Sequence, residues 1–117
     1  MDFERIGQAL LAEALAYPEA WEDYPWGERV LKVRRKIFAF LEFGPETLSL
    51  TVKLPASADF AGIFEDCVPT GYGLGKHGWI SCRLKPGSTL DPDLLGGWMD
   101  ESYRAVAPKL LTRQLER

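Results

Sequence analysis

The spacing of hydrophobic positions changes along the chain. Phe3, Ile6, Leu10, Ala14 and Tyr17 recur three or four residues apart, and Leu11 and Leu15 widen the stripe. This is the spacing of one buried helix face. Asp2 is placed to cap that helix and Pro18 to stop it. Residues 21–27, with Pro25 and a terminal glycine, read as a connection carrying aromatic anchors. From Val30 the pattern becomes strand-like. Val30–Val33 is a short run, Arg34-Arg35 a charged turn, and Lys36–Phe43 a strongly apolar run. After Gly44-Pro45-Glu46, the residues Leu48, Leu50, Val52 and Leu54 alternate with Ser49, Thr51 and Lys53. Such alternation marks a strand with one buried face, and the short connections predict an antiparallel meander.

Pro55-Ala-Ser57 opens a second predicted helix, with Phe60, Ile63 and Phe64 on one face and Cys67-Val-Pro69 at its end. A glycine-rich turn leads into a strand over Trp79–Leu84, with Ile80, Cys82 and Leu84 on one face. Asp91-Pro92 then starts a third helix, marked by Leu94, Leu95, Trp98, Met99, Tyr103 and Val106 and ending near Pro108. The Gly96-Gly97 pair inside it suggests close packing on the sheet. The reading is a single α+β domain over residues 1–117. It has a mainly antiparallel sheet with helices on one face, in the order α-β-β-β-α-β-β-α.

Composition narrows the setting. With 117 residues, 46% hydrophobic and 26% charged, the chain has the makeup of an ordinary globular domain with a substantial core. No apolar run approaches the roughly 18 residues that span a bilayer, and the first residues lack the pattern of a signal peptide. Cys67 and Cys82 are too few for a disulfide framework and sit in apolar positions, so they are expected to be reduced and buried, in the cytoplasm. A net charge of −3 opposes strong non-specific nucleic-acid binding but leaves room for a local basic face.

The stretch Gly71-Tyr-Gly-Leu-Gly-Lys-His-Gly-Trp79 concentrates the chemistry. A phosphate-cradling loop runs from strand to helix; this one runs from helix to strand and lacks Gly-Lys-Ser/Thr, so it reads as a structural turn needing positive φ. His77 is the sole histidine, with no carboxylate or cysteine at ligand spacing. No metal, cofactor or catalytic residue is therefore assigned. Glu22, Asp23, Asp66, Asp100 and Glu101 read as solvated charges or helix-end partners.

Several motifs together resemble the MmcQ/YjbR family of small bacterial proteins. They are Glu22-Asp23-Tyr24-Pro25-Trp26-Gly27, Lys36-Ile37-Phe38-Ala39, Leu48-Ser-Leu-Thr-Val-Lys53, Gly71-Tyr72 and Lys76-His77-Gly78-Trp79, with Ser102-Tyr103 to Lys109-Leu110 near the end. The glycine density of Gly71, Gly73, Gly75 and Gly78 departs from the bulkier polar residues of relatives. The resemblance implies a fold similar to that of type III secretion chaperones and a DNA-binding label, and it supplies no catalytic residues.

Strand alternation puts Ser49, Thr51, Lys53, Trp79, Ser81 and Arg83 on the face away from the helices, with Lys32 beside them. The leading expectation is a nucleic-acid (DNA)-binding accessory protein using Lys32, Lys53, Lys76, His77, Trp79 and Arg83. Its binding is expected to be weak and electrostatic, with rings stacking on bases. Arg34, Arg35 and Lys36 would extend the footprint. The alternative is a non-catalytic binding module for a protein or small acidic ligand. There Tyr24 and Trp26 would join Lys53, His77 and Trp79 in a pocket between sheet and loop.

Overall fold

The structure, a computed structural model, describes residues 1–116. Helix α1 spans Phe3–Leu15, and the Asp2 carboxylate accepts the Arg5 backbone N–H at 3.1 Å. That bond satisfies one of the amides that every helix start leaves free. Strands β1 (Ala20–Asp23), β2 (Val30–Val33), β3 (Lys36–Phe43) and β4 (Leu48–Lys53) follow. A short helix α2 (Ala58–Ala61) precedes β5 (Cys67–Pro69) and β6 (Trp79–Leu84). Helices α3 (Pro92–Val106) and α4 (Lys109–Thr112) come last. The strands form one sheet in the order β1-β2-β3-β4-β6-β5, and every neighbouring pair is antiparallel. The α+β architecture, with helices packed on the sheet, is the one expected.

Three local elements differ from the expectation. Residues 20–23 are an edge strand rather than part of a connection, with Trp21 opposite Lys32. An edge strand with one solvated side needs no apolar alternation, so the pattern gave no sign of it. Cys67–Pro69 is a strand, not a helix end; Pro69, which has no N–H to donate, is tolerated at the sheet margin. Helix α2 has only 4 residues. Phe60 and Ile63 are consequently exposed, whereas Phe64 packs edge-on to both Phe60 and Trp98. Glu101 of α3 holds the approach to α2, accepting the N–H groups of Ala56 and Ser57 and the Ser57 hydroxyl.

The core lies between sheet and helices. Leu48, Leu50 and Val52 point into it from β4, and Ile80, Cys82 and Leu84 from β6. They meet Leu95, Trp98, Met99 and Tyr103 of α3 and Phe3, Leu10 and Ala14 of α1. A Cβ on Gly7 would fall 2.1 Å from the Phe43 ring, so α1 lays bare backbone on that ring. The Gly96-Gly97 pair has another setting: Gly97 faces open space, and Gly96 meets the Glu13 side chain rather than the sheet.

A bulge interrupts the ladder between β2 and β3. Leu31 pairs with Ala39 but Lys32 with Ile37, which leaves Phe38 as the extra residue. Phe38 and Ala39 are both buried as a result. The Phe38 ring meets Tyr103 edge-on at 5.2 Å, and Tyr103 stacks on Tyr17 at 4.4 Å. Among the described residues, no helix is long and apolar enough to cross a membrane.

Candidate functional site on the open sheet face

The pleat that buries Leu48, Leu50 and Val52 turns Ser49, Thr51 and Lys53 to the opposite face. Register carries the same division across the sheet. Ser49 lies opposite Arg83, Thr51 opposite Ser81 and Lys53 opposite Trp79. On β3, Phe40 lies opposite Thr51 and Glu42 opposite Ser49, so both belong to this face. Val30, opposite Phe40, is fully buried yet stands apart from the main core. The Phe40 and Trp79 rings meet edge-on with centroids 6.1 Å apart.

A groove of about 480 Å³ runs over this face. Its floor is polar. The Thr51 hydroxyl donates to Ser81 Oγ at 3.0 Å, and Thr70 shares a 2.9 Å bond with the same Ser81 oxygen. Phe40, Tyr72 and Leu74 supply apolar surface, while Arg83, Glu28 and Glu42 supply charge of both signs. Glu42 Oε1 accepts the Arg29 backbone N–H. Tyr72 is fully exposed and held at a φ of 60°, a left-handed conformation that side chains rarely adopt.

The turn beside the groove explains part of the glycine density. Gly73 and Gly78 adopt φ of 79° and 86° and bracket a 3₁₀ turn at Leu74–His77. A Cβ on Gly75 would lie 2.9 Å from both the Pro69 Cβ and the Thr70 carbonyl oxygen, so the chain passes too close for a side chain. The turn is the positive-φ structure expected. No group of histidine, cysteine and carboxylate side chains among the described residues is arranged to hold a metal ion.

The residues singled out in the sequence separate into several settings. Arg83 lines the groove and is exposed. Lys53 and Trp79 are half-buried neighbours on the same face but lie outside the groove wall. Lys76 and His77 are exposed on the 3₁₀ turn next to them. Lys32 is committed elsewhere. Its ammonium is 2.7 Å from Asp23 Oδ2 and 5.1 Å from the Trp21 ring centre. The bonded Lys32 ammonium, with the Tyr24 backbone N–H, holds the Asp23 carboxyl below the usual carboxylate range. Tyr24 and Trp26 are exposed and do not line the groove. The Tyr24 hydroxyl bonds Glu22 and receives the Arg29 Nε–H. Asp100 and Glu101 are partners of other groups, Asp100 of Tyr17 and Arg104 and Glu101 of the α2 approach.

The groove also contains residues the sequence did not single out. Phe40 and Glu42 were accessible to the alternation rule, since they interleave with buried Ala39 and Leu41. Glu28, Thr70 and Tyr72 enter from turns, where no periodicity reports orientation.

Fold and face together define a two-layer α+β domain with one side of its sheet sealed by helices and the other bearing a groove. The chain belongs to the YjbR family, whose model matches residues 15–105. Its fold is similar to the crystal structure of Deinococcus radiodurans protein DR2400, which carries a DUF419 domain. The TM-score is 0.71 at 21% identity, over 93% of this chain and 86% of that one. Among curated proteins, no sequence matches this chain.

Proposed function

We propose that this protein is a non-catalytic binding module that takes a peptide segment of a partner protein in the groove on its open sheet face. The observation that carries this reading is the groove's lining. The hydroxyls of Ser49, Thr51 and Thr70 line it beside exposed Tyr72, and Arg83 shares the space with Glu28 and Glu42. Hydroxyls that both donate and accept suit peptide N–H and C=O groups. Charges of both signs suit a chain carrying both. A nucleic-acid backbone would bring its phosphates against two carboxylates, and Lys32, expected to serve it, is already neutralised by Asp23.

The test is selection of binders from a phage-displayed peptide library, followed by amide-shift mapping of a selected peptide. Shifts should centre on Ser49, Thr51, Ser81 and Tyr72. Arg83→Ala and Tyr72→Ala should each weaken binding by about tenfold, a typical loss for one well-placed side chain. Both residues are exposed, so melting should hardly change. A salt titration against single- and double-stranded DNA runs alongside. DNA binding with a log–log slope near −3, as for about three phosphates, and reduced by Lys53→Ala and Arg83→Ala would favour the nucleic-acid reading instead. Peptide binding unaffected by both groove substitutions would overturn the module.

A further inference from the structure

A second concavity, of about 580 Å³, lies where the β2–β3 hairpin meets the α3–α4 junction. Four cations line it: Arg34, Arg35, Lys36 and Lys109. Its apolar surface comes from half-buried Val106 and Pro108 at the end of α3, over buried Val33 of β2 and Ala107. No carboxylate lines it. Glu19, from outside, takes Arg34 in a two-pronged ion pair at 3.0 and 3.2 Å. Arg35, Lys36 and Lys109 form no ion pair among the described residues and are exposed.

The hairpin tip adds a second observation. Val33 pairs with Lys36, so Arg34-Arg35 alone makes the turn. Arg34 adopts a φ of 55°. Two-residue hairpins favour glycine or asparagine at such a position. Trp21 Nε1–H donates to the Arg34 carbonyl at 2.8 Å and Glu19 holds the Arg34 side chain, so the strained turn is fixed from β1 and the residue before it, with Arg35 and Lys36 left at its tip.

We infer that this concavity is a binding site for a small soluble organic phosphate, with the phosphate held by Arg35, Lys36 and Lys109 and its apolar body on Val106 and Pro108. The charge count favours phosphate. A monoester carries roughly −1.5 to −2 near neutral pH, which suits several cations better than one carboxylate does. The shape favours a small molecule. Membrane-binding surfaces present an apolar side outward to enter the lipid, whereas here the apolar residues share a hollow with the cations. This site is separate from the open-face groove, because Val33 belongs to the core on the helical side.

The test is a titration of the full chain with phenyl phosphate and with inorganic phosphate, read by amide shifts. Shifts should be confined to residues 33–36 and 106–110, with phenyl phosphate the tighter by about fivefold or more, as expected when a ring is taken out of water. The Lys36→Ala/Lys109→Ala double variant should weaken phenyl phosphate by at least about tenfold while melting as the parent does. Raising ionic strength from about 0.01 to about 0.1 M should weaken it further, as screening shortens from roughly 30 to roughly 10 Å. No shift at millimolar phenyl phosphate, equal affinity for both probes, or an unaffected double variant would overturn the site. So would preferential capture by phosphatidate vesicles or by a single-stranded oligonucleotide through these same residues.

Discussion

Ser102, inside α3, donates its hydroxyl to the carbonyl of Phe38, the extra residue of the β2–β3 bulge. The same oxygen accepts the Lys53 backbone N–H at 2.8 Å. One fully buried hydroxyl thus ties a helix to two strands, and Ser102 is the one buried serine or threonine among the described residues. The carbonyl of the bulge's extra residue is thus satisfied by a helix side chain.

Ser102→Ala should therefore cost about 1–3 kcal/mol, because it leaves an amide and a carbonyl without their partner beneath the helix. At this size each kcal/mol lowers the melting temperature by roughly 3–6 °C. Thermal melts of the two proteins check this. An unchanged melt would mean that water or a shifted strand satisfies the pair.

Tyr17 gives a pH signature. Burial first, and then the hydrogen bond to Asp100 and that carboxylate's charge, hold its phenol well above the usual tyrosine range. Tyr103 is raised as well, chiefly by burial. The folded state keeps these protons longer than the unfolded chain does. Their stabilisation is complete below the unfolded value of about 10 and is lost as pH rises toward the higher folded values. Urea unfolding from about pH 9 to about pH 11 should show falling stability. Tyr17→Phe should flatten that slope, with Tyr103 supplying the remainder; an unaltered slope would remove Tyr17 as its source.

Two glycines on different helices should respond oppositely to the same methyl group. Gly7→Ala drives a Cβ into the Phe43 ring and should destabilise by about 1–3 kcal/mol. Gly97→Ala meets nothing within 4 Å and should stabilise by up to about 1 kcal/mol through helix propensity. Chemical denaturation of both variants tests the pair.

Cys67 and Cys82 face each other across β5 and β6 as free thiols in contact, and both are buried. The Cys67 sulfur beside it, together with burial, pushes the Cys82 thiol above its usual range. A thiol reagent should titrate almost nothing in the native protein over minutes and two equivalents per chain in denaturant. Rapid native reaction would show that β5 opens readily.

Most of the fold was legible because its signals are local. Alternation marked β4, two short connections set the β2-β3-β4 meander, and Asp2 and Asp91 marked helix starts. What escaped notice depends on distant partners. β1 is a strand because β2 lies beside it, and β5 because β6 does. α4 follows Pro108, where the third helix was expected to end, and packs Leu111 into the core. The open face was foreseen as a surface, since Lys53, Trp79 and Arg83 alternate with core residues. Its charge was not. Asp23 reaches Lys32 only through the β1–β2 pairing, and Glu42 stands opposite Ser49 only through register.

The two margins of the sheet bear on how a partner can be recognised. On one side β5 is three residues long and ends in Pro69; on the other β1 is four residues long, carries Glu22 and Asp23, and is flanked by Pro18 and Pro25. Short, charged or proline-bounded edges are poor templates for another strand. The sheet is thereby guarded against lateral growth into fibres or strand-swapped pairs. On the reading proposed above, a peptide would lie across the face rather than extend the sheet, and Tyr72, Arg83 and the hydroxyls beside them would carry its specificity.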